Sequence, residues 1–196
     1  MSVNRRALIA ASFAAAAAAA LPAHAAEKST AGTPMRRSDR ALSQEECLEA
    51  IRRTPHAVLG TADAAGIPYA VPVTPVMLDG KLYFHCSRAN GRRTQNLRMN
   101  PNVSLTFIAK QDTVEPEFAV NFVSVIVAGK VREITDAAEV KRIQLEICKR
   151  HAPSVAPEKA LAYFEKSGGG IGIWEITPSE ITGKSRNKQL YFGAAK

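Results

Sequence analysis

The stretch LYFHCSRANGRRTQNLRMNPNVSLTF, residues 82–107, carries a β-prone run into a polar segment and then returns to a β-prone run. His85, Cys86, Ser87, Arg88, Arg92 and Arg93 stand between the two. The pattern predicts a strand over 81–86, a short helix over 91–99 and a strand over 103–108. Arg92 and Arg93 then fall in the first helical turn. Free backbone N–H groups there favour an anion, and the guanidinium forks add charge and donors. Thr94, Ser87 and Gly91 add hydroxyls and closely approachable backbone. The other reading is a solvated surface pair.

Upstream, Ser43 and Glu46 have capping-box spacing and open a helix with Cys47, Leu48 and Ile51 along one face. Residues 56–63 read as a strand ending in the Ala64-Ala65-Gly66 turn. Residues 69–77 read as a second strand interrupted by Pro72 and Pro75, which demands an edge, a bulge or a place where a ligand replaces a neighbour. Asp79-Gly80 marks a tight hairpin. Downstream, residues 121–135 form a long β run with Gly129 as a bend. Asp136 caps a helix, Pro157 begins another, and residues 171–184 return to strand. GGGIG at 168–172 precedes a strand instead of joining a strand to a helix, so it reads as a plain turn. The order predicts an α+β fold, a small antiparallel barrel with flanking helices.

The candidate reactive groups each carry a plain alternative. His85, at a strand end beside the arginines, either contacts a ligand or is a half-buried strand residue. Cys86 is an activated thiol or a packed one. Cys148 and His151 share a helix face, which by itself is no zinc site, and there is no C-x-x-C pair. Trp174, the only tryptophan, lies in the core or against an aromatic ligand. No metal is expected.

The N-terminus has Arg5-Arg6, an uncharged run from Ala7 to Ala23, and a small-residue cleavage pattern before Ala26. Residues 1–25 therefore read as a twin-arginine-type signal peptide, the alternative being an ordinary secretory signal. An Ala-rich run is a weak membrane former, so no stable membrane insertion is expected after cleavage. The implied location is periplasmic or otherwise exported. Residues 26–40 read as a linker and 41–196 as the domain. Cleavage leaves 171 residues, enough for one core. It removes two basic residues and no acid, so the net charge falls from +8 to +6. That mild, dispersed excess suits small anions better than nucleic acid. Three cysteines cannot all pair within one chain, and no disulfide framework follows.

Three segments together, GIPYAVPV at 66–73, KLYFHC at 81–86 and GRRTQNLRMNPNVSLTF at 91–107, resemble the pyridoxamine 5′-phosphate oxidase-like, FMN-binding split-barrel proteins, in their nitroimidazole-resistance branch. The likeness continues through FVSVIVAGKVREITDAAEVKRIQLEICKRHAP at 122–153 and more faintly through WEITPSEITGK at 174–184. It implies an antiparallel split β-barrel and a homodimer with FMN at the interface of two barrels. It places Arg92 and Arg93 on the FMN phosphate, Val73 and Thr74 along the isoalloxazine edge, and His85 near cofactor and substrate as the catalytic candidate. Ser87, Asn96 and Trp174 complete the implied cofactor set, Trp174 from the partner chain.

The implied activity is an FMN-dependent, nitroreductase-like oxidoreductase acting on a small organic substrate, nitroaromatics among them. The alternative is a carrier without turnover, binding haem or flavin, with His85, His151 or Cys86 as iron ligands. The chain lacks the arginine that true oxidases have on the strand of IPYAVPV, and it lacks their C-terminal arginine motif, so vitamin B6 oxidation is not expected. A twin-arginine-type signal is also unusual for this branch. Changing Arg5 and Arg6 to Lys should hold the precursor in the cytoplasm, read by cell fractionation. Unchanged export would remove the twin-arginine reading.

Overall fold

The computed structural model describes residues 32–166 and 169–193; the signal segment, and residues 26–31 of the expected linker, lie outside them. The chain divides into two units, Met1–Pro34 and Met35–Lys196, and every element named below belongs to the second. A 3-10 turn, Ser38–Arg40, leads through a single bridge from Ala41 to Lys184 into α1, Gln44–Arg53. The capping box is formed: Ser43 Oγ accepts from Glu46 N at 3.1 Å, and Ser43 N donates to Glu46 Oε2 at 2.9 Å.

Strands β1 (Ala57–Ala62), β2 (Pro68–Val73), β3 (Val76–Leu78) and β4 (Lys81–Ser87) follow, then α2 (Arg92–Met99). The second half holds β5 (Asn102–Val114), β6 (Ala119–Ile134), α3 (Ala137–His151), α4 (Pro157–Lys166), β7 (Ile171–Arg186) and a last turn, α5 (Gln189–Phe192). All pairs in the seven-stranded sheet are antiparallel, in the order β2-β1-β5-β6-β7-β4-β3. The fold is α+β, a split barrel with flanking helices.

The expected single strand over 69–77 is corrected to two. It breaks at Thr74 and Pro75, and its halves occupy opposite ends of the sheet. Pro72 sits on the edge strand β2, opposite Val58, where its missing N–H costs no ladder bond. The strand expected over 103–108 runs on to Val114, because β5 stays paired to β6 after its apolar alternation ends at Ile108. Asp79 (φ 50°) and Gly80 (φ 76°) are both left-handed, as a two-residue β3–β4 hairpin requires. At Gly129 the β6–β7 register shifts, and an added Cβ would lie 2.5 Å from Thr177 O. Only glycine allows that approach.

Alternation sorts the side chains. Leu59, Leu105, Phe107, Val125, Phe84 and Ile176 are buried in the main core together with Trp174, and Cys47, Ala50 and Ile51 of α1 and Leu97 of α2 join the same cluster. The opposite face of β3, β4 and β7 gives Val76, Tyr83 and Ile173 to a second cluster, which Ile143 and Ile147 of α3 cover. Strand β4 over 82–84 and strand β7 over 172–176 are thus buried on both faces. Glu175 sits in that outer layer, 1% exposed. It is flanked across the ladder by Tyr83 and Arg132. Arg132 donates both Nε and Nη2 to it at 2.7 and 2.8 Å, Tyr83 donates its hydroxyl at 3.0 Å, and Lys81 Nζ lies at 3.1 Å.

Burial opposes ionisation of Glu175, but these donors outweigh it and hold the carboxyl down to about 2. Burial and the same carboxylate push Tyr83 up to about 12. A carboxyl whose pKa is depressed in the folded state stabilises above its unfolded value, and that stabilisation is lost as pH falls toward the folded value. Wild type should therefore lose stability progressively from about pH 4.5 to about pH 2. Glu175→Gln should be less stable near neutrality by about 1–3 kcal/mol, the usual cost of leaving a buried donor poorly paired. It should also show a flatter acid limb. Urea unfolding of both proteins between pH 7 and 3 checks this, and parallel acid limbs would remove the role given to Glu175.

Candidate functional site

Helix α2 begins with Gly91 as N-cap, without a side-chain cap and without an acid in its first turn. Its leading N–H groups therefore point to an open, anion-favouring end. Arg92 reaches back to β2: its Nη2 donates to Pro68 O at 3.3 Å, and its guanidinium lies 4.7 Å from the centroid of the Tyr69 ring. Such a stack contributes about 0.5–1 kcal/mol at an exposed site and fixes the helix start against the sheet edge. Arg93 differs. Its Nε is buried and has no hydrogen-bond partner among the described residues. A buried donor without a partner costs about 1–3 kcal/mol, so this atom is a ready place for a ligand oxygen.

His85 projects from β4 on the same side as Tyr83, two residues on, and is exposed. Desolvation, and then the nearby charge of Arg93, lower its pKa. The imidazole is neutral near pH 7, with one nitrogen to donate and one to accept. His151, at the end of α3, joins this region by donating Nε2–H to Pro75 O at 3.3 Å. Burial lowers its pKa, partly offset by that bond, and Arg150, His56 and His85 lower it further. Thr74, half-buried, belongs to the same crossing between β2 and β3.

The expected cofactor residues separate into two groups. Arg92, Arg93, Thr74 and His85 surround the α2 start and the β2–β3 break. Val73 is 7% exposed with its side chain in the main core, so what it offers a ligand is backbone on the open edge of β2. Ser87 is exposed, and its Oγ accepts from Ala89 N at 3.1 Å within the turn. Asn96 and Trp174 face inward, each 2% exposed. Asn96 Nδ2 donates to Thr61 Oγ1 at 3.1 Å, tying α2 to β1. Trp174 packs in the main core of its own chain, the plain alternative for that residue, and leaves a ligand almost no surface. Tyr69 is not among the residues expected at the site, and His151 enters the sequence reading only as an iron ligand in the haem alternative. No local pattern marks them, since each meets it through a partner far along the chain or in a different element.

The chain matches the family model described as pyridoxamine 5′-phosphate oxidase over residues 43–185. No curated protein matches it. Among solved structures it resembles a 5-nitroimidazole antibiotic resistance protein of Bacteroides thetaiotaomicron, at 24% identity and TM-score 0.57, over 74% of this chain and 85% of that one. It also resembles an FAD-binding protein of Mesorhizobium loti, at 23% identity and TM-score 0.54, over 76% and 98%. A third is HutZ, the haem storage protein of Vibrio cholerae, at 16% identity and TM-score 0.54, over 70% and 92%.

The charge of Arg93 beside His85 can be read directly. In wild type, His85 should titrate below 6.5, and Arg93→Gln should move it upward, though not fully to the free value because desolvation is the larger cause. NMR titration of the imidazole signals measures both, and an unchanged His85 in the variant would separate the two residues.

Proposed function

The chain belongs to the pyridoxamine 5′-phosphate oxidase family, and on that premise we propose that it is an exported, flavin-binding oxidoreductase acting on a small organic substrate. The observation that carries this reading is the buried, unpartnered Nε of Arg93 beside the uncapped start of α2. An FMN phosphate fits those donors: Arg93 Nε and the first-turn N–H groups would hold its oxygens, while Arg92, stacked on Tyr69, keeps the helix start on β2. A bound flavin supplies the two-electron chemistry that side chains lack. His85, neutral near pH 7, would hold or move a proton at an imidazole nitrogen next to the reacting groups. Nitroaromatics are the substrate class to test first, by likeness to the nitroimidazole resistance protein.

A homodimer belongs to the same proposal. Val58, Ile108 and Ile126 are 39%, 56% and 48% exposed, and the register Val58↔Thr106↔Ile126 sets them on one outer face of β1, β5 and β6. A second copy of the chain would cover that face. Haem is the alternative cofactor, by likeness to the haem storage protein. The anion-favouring donors around Arg93 weigh toward a phosphate-bearing flavin.

FMN and riboflavin titrated into apoprotein decide between these readings. Losing the Arg93 contact, about 1.5–3 kcal/mol, and the Arg92 stack that fixes the helix start, about 0.5–1 kcal/mol, should weaken FMN about thirtyfold or more in Arg92→Ala/Arg93→Ala. Riboflavin, without the phosphate, should be nearly unaffected. Wild-type FMN affinity in the double variant would overturn the phosphate assignment, and a Soret band in the purified protein would favour haem.

A further inference from the structure

A second cavity, of about 350 Å³, lies between α3, α4 and the start of β7, and none of the residues lining it belongs to the site above. Its walls are mostly apolar: Val140, Leu161, Phe164 and Ile171. Gln144 also lines it; its side-chain amide makes no hydrogen bond among the described residues and is not sealed from solvent, so it is open to the cavity.

Arg88 enters the cavity from the turn after β4. Its N donates to Gly170 O at 2.9 Å. A Cβ on Gly172 would lie 3.1 Å from Arg88 Cγ, and one on Gly169 would lie 3.8 Å from Nη1. The glycines thus leave a track along which the side chain runs. Among the described residues the guanidinium has no ion-pair or hydrogen-bond partner, and neither has the ammonium of Lys141, which also lines the cavity. Glu165 is the one carboxylate on the wall, so the lining carries a single net positive charge.

We propose that this cavity binds a small organic monocarboxylate with a compact apolar body. The volume lies at the lower end of the range for small-molecule sites, about 300–1,000 Å³. The guanidinium fork matches a carboxylate, the Gln144 amide supplies the orienting hydrogen bond, and the apolar walls take the body. A dianionic phosphate would exceed the net charge of the wall and would gain nothing from the apolar side chains.

The test is calorimetric titration of the purified protein as isolated with 3-phenylpropionate and with its uncharged counterpart, 3-phenylpropan-1-ol. The acid should bind saturably, one per chain, and the alcohol about tenfold more weakly or worse, the value of one charge-assisted contact. Arg88→Gln should weaken the acid by a similar factor and leave the alcohol unchanged. Gln144→Leu should weaken both ligands several-fold, since it removes the orienting amide, and should melt near wild type, since that amide makes no hydrogen bond among the described residues. Absence of saturable binding to wild type, equal binding of acid and alcohol, or unchanged binding in both variants would overturn the proposal. The visible spectrum should be the same in wild type and both variants, which separates this site from the Arg93 site.

Discussion

Two residues, Thr74 and Pro75, must join β2 to β3, and those strands stand at opposite ends of a seven-stranded sheet. Laid flat, the sheet would put its edges about 29 Å apart at the usual strand spacing. The three Cα steps from Val73 to Val76 span at most about 11 Å. The sheet has to curl until its edges meet, and the barrel follows from that short crossing. The two edges are brought together without a ladder between them, so β2 keeps unpaired backbone beside the crossing. His85, His151 and the start of α2 gather there.

Alternation along β4 then assigns the chemistry. Leu82, Phe84 and Cys86 enter the main core, while Tyr83 and His85 face outward. Tyr83 is covered by α3 and locked to Glu175, which Arg132 and Lys81 also hold. His85, one step further, is exposed and feels Arg93 instead. The same period-two geometry thus yields a clamped structural pair and an available imidazole. Helix α3 connects the regions: Ile143 and Ile147 pack on the sheet, Gln144 lines the second cavity, and His151 touches Pro75 O.

Most polar groups inside this fold are satisfied, by the capping box, by the Glu175 cluster or by the Asn96–Thr61 bond. Among the described residues Arg93 Nε, Ser185 Oγ and Arg186 Nη1 depart from that rule, the first of them at an uncapped helix start. At the helix start the departure fits a ligand site, which keeps donors that the protein alone leaves unpaired.

What the sequence determined by itself was local. Ser43 with Glu46, Asp79 with Gly80, Asp136 before α3 and Gly129 in β6 each act within a few residues or through one backbone constraint, so their effects were legible without a fold. The basic pair at the start of α2 was legible for the same reason. Tertiary structure alone decided that residues 69–77 divide between opposite sheet edges, that Trp174 and Asn96 turn inward, that Arg92 stacks on Tyr69, and that His151 meets Pro75. The physical reason is separation along the chain. Barrel closure and side-chain burial depend on strands paired across tens of residues, such as Phe84 with Trp174, and no short-range preference encodes which distant partner arrives.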